Sequence, residues 1–301
     1  MRLPDFEAWS IFACVVEHKS FTGAADALGL SKATISKAVT RLETQVGAPL
    51  FHRTSRRLSL TESGAKLVEH ARAILAEGQA AEEAARDEAA EPVGLVRLAV
   101  PMSFGLKHVG PVVAEFLCEY RGISVDMHLS DAKVDLIGEG FDIGLRIASL
   151  PDSSLRARKL RDVKTHIVAA PSYLDRVGTP RHPAELGEHE CLRYSLLTTP
   201  ELWRFTNAKG EEAAVRPHGR LRANNSDVML YSLRSGHGIA VVPDFIIDGD
   251  LTSGAVVPIL EDWRPQPVAL HLVTPPGTIR PARVTALIEY LAERLGPTTS
   301  A

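Results

Sequence analysis

A chain of 301 residues, 45% of them hydrophobic and 24% charged, is long enough for about two domains and too ordinary in composition to be disordered or fibrous. No stretch approaches the run of about 20 apolar residues that a membrane span requires, and Arg2, Pro4, Asp5 and Glu7 break up the start a secretory signal needs, so a cytoplasmic chain with no membrane partner is expected. The formal net charge of -3 argues against nucleic acid only until its distribution is read: between Gly29 and Leu60 stand Lys32, Lys37, Arg41, Arg53, Arg56 and Arg57 against Glu43 alone, the local basic excess that phosphate binding needs.

Pro4 suits a first helical turn, and Trp9, Phe12, Ala13 and Val16 recur at i, i+3, i+4 and i+7, one apolar stripe on a helix that ends near His18. Ser20 or Thr22 caps a short second helix through Ala24, Ala25, Ala27 and Leu28, and Gly29 supplies the left-handed residue after it. Ser31 caps a third helix that carries Ile35, Ala38, Val39, Leu42 and Val46 inward until Gly47 and Pro49 stop it. Its outer face keeps Lys32, Ala33, Ser36, Lys37, Thr40 and Arg41. Two helices joined by a tight turn, the second exposing small, hydroxyl and basic side chains, can enter a DNA major groove. Lysine and arginine reach guanine edges or phosphates, and the helix N-terminus attracts a phosphate. An ordinary three-helix core with a solvated charged face has the same periodicity. The next segment favours DNA, because Leu50 and Phe51 anchor a ribbon that turns His52, Arg53, Arg56 and Arg57 outward before Leu58 and Leu60 return to the core.

From Lys19 to Gly64, "KSFTGAADALGLSKATISKAVTRLETQVGAPLFHRTSRRLSLTESG" resembles the signature of the LysR family of bacterial transcription regulators from end to end. The resemblance implies a winged helix-turn-helix over residues 1–61 that binds double-stranded DNA, with Lys32, Ala33, Ser36 and Lys37 where family members contact bases and Arg53 and Arg56 where the wing nears phosphates.

Thr61 and Glu62 start a further helix, taken as a linker over 62–91, in which Leu67, Ala71, Ile74, Gly78, Ala81 and Ala85 alternate at spacings of four and three. That is a coiled-coil seam, and packing on its own domain is the alternative. Resemblance to the family's antiparallel dimerisation helix assigns Leu67, Ala71, Ile74 and Ala81 to a homodimer or homotetramer that reads a palindrome-like operator. RNA polymerase is a further candidate partner. Glu69, Glu77, Glu82, Glu83, Asp87, Glu88 and Glu91 keep this helix solvated, and Pro92 and Gly94 close it.

Beyond Leu95 the texture changes to short apolar runs, "VRLAV", "SVDMHL", "DIGLRIA" and "THIVAA", alternating with helix-like stretches such as Val109 to Tyr120 and Ala132 to Glu139. The alternation implies parallel sheets flanked by helices. No phosphate loop, dinucleotide fingerprint or nucleophile elbow accompanies the strands, so no catalytic residue, metal or cofactor is expected. His189 and Cys191, the one close pair of ligating types, read as structural. The three cysteines, Cys14, Cys118 and Cys191, are odd in number, far apart and best read as small buried thiols. In open α/β sheets ligands sit at the carboxyl ends of strands, which selects Ser103 and Phe104 after the first strand, Ser130 and Asp131 after the second and Arg146 on the third.

The segments "DIGLRIASLPDSSLRARKL", "VAAPSYLDRVGTPRHPAELGEHECLRYS" and "GHGIAVVPDF" are similar to recurring parts of the LysR effector domain. The fold class implied is α/β overall: a mostly helical winged helix-turn-helix, a linker helix, and over 92–301 a two-lobed effector domain like the periplasmic binding proteins. The resemblance puts one lobe at about 94–162 and 267–295 and the other at about 164–266, with Ser195, Leu196, Asn225 and Val242 facing the cleft from the second lobe. Arg146 offers its planar fork to an anionic small-molecule effector, or pairs with Asp131 or Asp142. A constitutive repressor with a degenerate cleft and an enzyme fused to a DNA-binding module are the readings weighed beside an effector-controlled regulator.

Overall fold

The structure, a computed structural model, describes residues 3–53, 58–84, 91–149, 155–197, 199–276 and 280–297. The chain divides into two compact units, one built by the residues up to Pro92 and one by most of those after it.

Helices α1 (Phe6–Glu17), α2 (Phe21–Leu28) and α3 (Lys32–Val46), a ribbon of β1 (Phe51–Arg53) and β2 (Leu58–Leu60), and the long α4 (Glu62–Ala84) form the first unit. Asp5, not Pro4, starts α1: its carboxylate accepts the Ala8 N–H at 3.1 Å, and Pro4 stands one residue ahead of the cap. The face of α1 that is buried, Ala8 with Ile11 through Val15, is broader than the predicted stripe, and Trp9 and Val16 only flank it. The cause is tertiary, because both α3 and α4 pack on this helix. Ser20 and Ser31 cap α2 and α3, and Gly29 and Gly47 end them in the left-handed conformation. Ile35, Ala38, Val39 and Leu42 are buried as expected, whereas Val46, in the last turn, is exposed. Burying Phe12, Ile35, Leu42 and Leu50 completely contributes about 1.5–3 kcal/mol per side chain.

The second unit has two lobes. The first opens with β3 (Gly94–Val100), α5 (Met102–Phe104), a π-turn over Gly105–Val109, α6 (Gly110–Glu119), β4 (Ile123–Leu129), β5 (Ile143–Ala148) and β6 (Arg156–Val163). The chain then crosses to β7 (Thr165–Ala169), α7 (Pro171–Val177), β8 (Cys191–Tyr194), β9 (Trp203–Asn207), β10 (Glu212–Val215), β11 (Arg222–Ala223), α8 (Ser226–Arg234), β12 (Ile239–Pro243), α9 (Asp244–Ser253), β13 (Val257–Pro258) and β14 (Trp263–Pro265). It returns through β15 (Val268–Thr274) and ends on α10 (Ala282–Leu295).

The sheet of the first lobe runs β4-β3-β5-β15-β6 and that of the second β11-β8-β12-β7-β13, with a separate three-stranded sheet β10-β9-β14. The sheets are mixed rather than purely parallel. In the first, β3 pairs in parallel with β4 and β5, but β15 runs antiparallel to β5 and β6. Two crossings between lobes require this, since the strand that leaves and the strand that returns point in opposite directions. The expected helix over Ala132–Glu139 is a series of turns instead. The stretch is short and carries Gly138, both of which weaken a helix, and the Arg146 guanidinium donates to the Val134 carbonyl at 2.8 Å.

Candidate DNA interface and effector cleft

On α3 the side chains of Lys32, Ala33, Lys37, Thr40 and Arg41 are exposed and Ser36 is half-buried, along the face opposite the core. The Ser31 hydroxyl accepts the Thr34 N–H at 3.1 Å and fixes the start of the helix, where the remaining N–H groups face outward. Glu43, the single acid in the basic stretch, is turned to the backbone: its carboxylate accepts the Leu50 N–H at 2.8 Å and the Phe51 N–H at 3.4 Å. It thereby holds the chain entering β1. Arg41 differs from the lysines, since its guanidinium donates to Asp5 and, at 3.1 Å, to Glu7. These partners hold its charge in the guanidinium form. Sequence reasoning missed this tie because the Asp that engages Arg41 sits 36 positions away. Arg53 ends β1 opposite Leu58, and Arg56 lies outside the described residues.

On α4, Ala71 is fully buried and Leu67 half-buried, both in the hydrophobic core of their own winged-helix unit with Val68 and Leu75. Two of the four expected seam residues, Leu67 and Ala71, therefore take part in the core of their own unit. The seam's first half packs on α1, leaving Ile74 half-buried and Ala81 exposed on the remainder. Ala85 falls outside the described residues.

In the second unit the carboxyl ends of β3 and β4 deliver Ser103 and Asp131, and α8 begins at Asn225. Gly105 lets the π-turn behind Ser103 lie close on β3 and β4, for a Cβ there would meet the Val100 side chain at 2.7 Å and that of Leu129 at 3.2 Å. Asp131 accepts the Met102 N–H at 2.9 Å, and Ser130 accepts the Ala132 N–H at 3.2 Å. From the opposite lobe the Asn225 amide donates to Asp131 at 2.7 Å and to Ser103 at 3.2 Å, while its oxygen caps α8 by accepting the Asp227 N–H at 3.0 Å. The buried Ser103 hydroxyl donates to Asp227, whose other oxygen lies 3.5 Å from the Lys107 ammonium. Lys107 also donates to the Ile246 carbonyl at 3.2 Å. Burial, with the charge of Asp131, holds the Tyr194 phenol in its neutral form well above the usual range.

The structure thus brings together Ser103, Asp131 and Asn225, with Ser130 adjacent, and adds Lys107 and Asp227. The missed members had a local signal: Lys107 follows Ser103 by one helical turn, and Asp227 stands in the first turn after the Asn225 cap. Other expected liners do not join this network. Phe104 is fully buried, stacked on His108 at 4.8 Å and edge-on to Phe245 at 5.2 Å. Val242 is buried in the core of the second lobe, where it pairs with His166. Both belong to apolar packing, which their residue types favour. Arg146 donates to Val134 rather than pairing with Asp131 or Asp142, and Asp142 instead accepts the Arg97 N–H at 2.8 Å. Burial lowers the Arg146 pKa against the opposing charge of Asp135. Arg146 lies on β5 two residues beyond Gly144, which pairs with Ala99 of β3, and opposite His271 of β15. Ser195 is half-buried, its N–H bonded to the Ala223 carbonyl at 2.8 Å, and Leu196 is exposed. Among the described residues no helix is long and apolar enough to cross a membrane, and no group of three metal-ligating side chains stands together.

A winged helix-turn-helix followed by a two-lobed α/β unit with a polar network between its lobes defines an effector-binding transcription regulator. Two family profiles match: the bacterial regulatory helix-turn-helix protein, lysR family, over residues 6–65, and the LysR substrate binding domain over residues 89–296. The chain belongs to the LysR family. It is 38% identical to an HTH-type transcriptional regulator of Xanthomonas campestris pv. campestris, over 97% of this chain and 86% of the relative. It is 36% identical to the HTH-type transcriptional regulator PtxR of Pseudomonas aeruginosa, over 95% and 91%. Among solved structures, CrgA of Neisseria meningitidis aligns with TM-score 0.60 and 31% identity, covering 98% of this chain and 100% of that one. Full-length AphB, a Vibrio cholerae virulence activator, aligns with TM-score 0.62 and 27% identity, covering 97% and 100%.

Proposed function

We propose that α3 reads an operator through Lys32, Ala33, Ser36, Lys37 and Thr40, with Arg53 and Arg56 on the adjoining backbone, and that a small molecule bound at the Ser103–Asp131–Asn225–Asp227 network controls that binding. The observation that carries the reading is the network itself: one amide, Asn225, caps a helix of its own lobe and donates to two residues of the other. A ligand that competes for those donors and acceptors has different affinity for closed and open lobes, and only such a difference shifts a population. Arg41 is assigned to holding α1 against α3 rather than to DNA. A homodimer using Ile74 and Ala81 of α4 would present two copies of α3 to a palindrome-like site, in the cytoplasm where the DNA is. The cleft is assigned a binding role and no catalytic one.

Mapping the sites bound in the cell supplies the operator, and the neighbouring genes supply a ligand set for thermal-shift screening. A true effector raises the melting temperature by the linkage RT ln(1 + [L]/Kd), about 2.7 kcal/mol at a hundredfold excess over Kd, and changes operator affinity in fluorescence anisotropy. Replacing Ser103 with Leu should abolish both responses and leave operator binding without ligand intact. A ligand response that persists in that variant would move the effector site away from Ser103, and binding without sequence preference would overturn the operator reading.

A further inference from the structure

The two segments that cross between lobes, at Val163–Thr165 and Pro265–Pro267, both line a groove of about 830 Å³, and none of the Ser103 network does. We propose that this groove is a second ligand site, for a small organic anion with an apolar body, and that its occupancy biases the hinge between the lobes. The volume falls within the range of small-molecule sites, roughly 300–1,000 Å³. Its apolar side is supplied by Trp263 and Ile259, which pack against the core of the second lobe. Its polar side carries Lys164, His166 and Arg264 against a single acid, Glu261. Lys164 and Arg264 are exposed, and among the described residues neither side chain is engaged in an ion pair or hydrogen bond. Two free cations and an imidazole beside one lining carboxylate, over a tryptophan, suit a carboxylate attached to a ring or short chain.

Position supplies the consequence. A ligand touching both crossings sits where lobe rotation is absorbed, so it stabilises whichever hinge angle preserves its contacts. The site is separate from the cleft and does not depend on the cleft reading. His166 adds a pH signature. Burial, then the charge of Lys164, lowers its pKa, while Asp244 and Asp248 of α9 and Glu261 pull the other way. An anion placed beside it raises the pKa again, so binding takes up a proton and strengthens as pH falls into the range where His166 titrates.

Isothermal titration of the full chain with naphthoate, and with naphthalenemethanol as its uncharged counterpart, tests the proposal. Naphthoate should bind the wild type and keep binding a cleft variant, Asn225→Ala, whose lost bridge reaches the groove only through the hinge, and should bind both more tightly than the alcohol does. It should bind a Lys164→Glu, Arg264→Glu double variant at least about tenfold more weakly, a difference of about 1.4 kcal/mol. Both substitutions are on exposed side chains, and a circular-dichroism melt verifies the fold. Tightening of binding on acidification should vanish in His166→Ala. No naphthoate binding by the wild type up to millimolar concentration overturns the proposal, as does affinity unchanged in the double variant. Binding lost in Asn225→Ala and kept in the double variant places the ligand in the cleft, which also overturns it while leaving the cleft reading intact.

Discussion

The exposed cations of α3 differ in what they are free to do. Lys37 points away from the core with no partner among the described residues, whereas Arg41 is held by Asp5 and Glu7. Lys37→Ala should therefore weaken operator binding, by about 1–3 kcal/mol where the ammonium meets a base edge, or flatten the salt dependence by about one unit where it meets a phosphate. Arg41→Ala should leave the salt slope nearly unchanged and instead loosen the tie between α1 and α3, seen as a small drop in melting temperature. Anisotropy titrations at several salt concentrations distinguish the two, and an Arg41→Ala slope as altered as that of Lys37→Ala would return Arg41 to the interface. Gly64 makes a second prediction at this scale. A Cβ at Gly64 would collide with the Leu50 carbonyl, which already accepts the Thr61 N–H at 3.0 Å. The obstacle is backbone that cannot swing aside, so Gly64→Ala should destabilise the winged-helix unit by about 1–3 kcal/mol. A denaturant titration giving an unchanged midpoint would show that the ribbon yields.

Helix ends were the most legible elements, because a cap is decided within three or four residues. Ser20, Ser31, Gly29 and Gly47 could be read in the sequence for that reason, and each occupies its expected place. Faces were less legible. The inward side of α1 and the first half of α4 are set by which helices pack on them, and the spacing of Leu67 and Ala71 fits a coiled coil and an internal core equally well. Asn225 combines a local role with a distant one, and only the local one has a sequence signature. Its side-chain oxygen caps α8, whereas its amide nitrogen crosses to the other lobe. Serine separates the two, since it retains a capping oxygen and is too short to bridge. Asn225→Ser should cost only the bridging bonds, about 0.5–1.5 kcal/mol each, and Asn225→Ala about 1 kcal/mol more for the lost cap. The expected order of melting temperatures is wild type, serine, alanine. Equality of wild type and serine would mean that the bridge contributes nothing to holding the lobes together.

Across the whole molecule, the DNA-binding unit is written in one contiguous stretch from Lys19 to Gly64, while the cleft joins residues as far apart as Ser103 and Asp227, 124 positions along the chain. Strand ends announced the first lobe's share of that network, but no pattern in the sequence specified which polar groups would meet across it. Buried ionisable groups in the second unit give the molecule a predictable response to alkali. Cys191 is completely buried, its thiol 3.5 Å from the Leu186 carbonyl. Burial, with a smaller push from Glu190 against the pull of Arg193, raises its pKa to about 12. In the unfolded chain a thiol ionises near pH 8.5. Between those values the native state holds a proton that the unfolded state has lost, so this contribution is fully present below about pH 8.5 and declines as pH rises toward the folded value. The loss approaches about 1.4 kcal/mol for each pH unit. Tyr173 and Tyr194 are shifted upward, chiefly by burial, and add decline of the same sign above about pH 10. Serine keeps a small donor but does not ionise, so Cys191→Ser isolates the thiol. Urea titrations from neutral pH to about pH 10 should show stability falling in the wild type and less steeply in the variant, whatever the variant's stability at neutral pH. Parallel curves would mean that the Cys191 thiol ionises in the native state as readily as in the unfolded one, contrary to its burial.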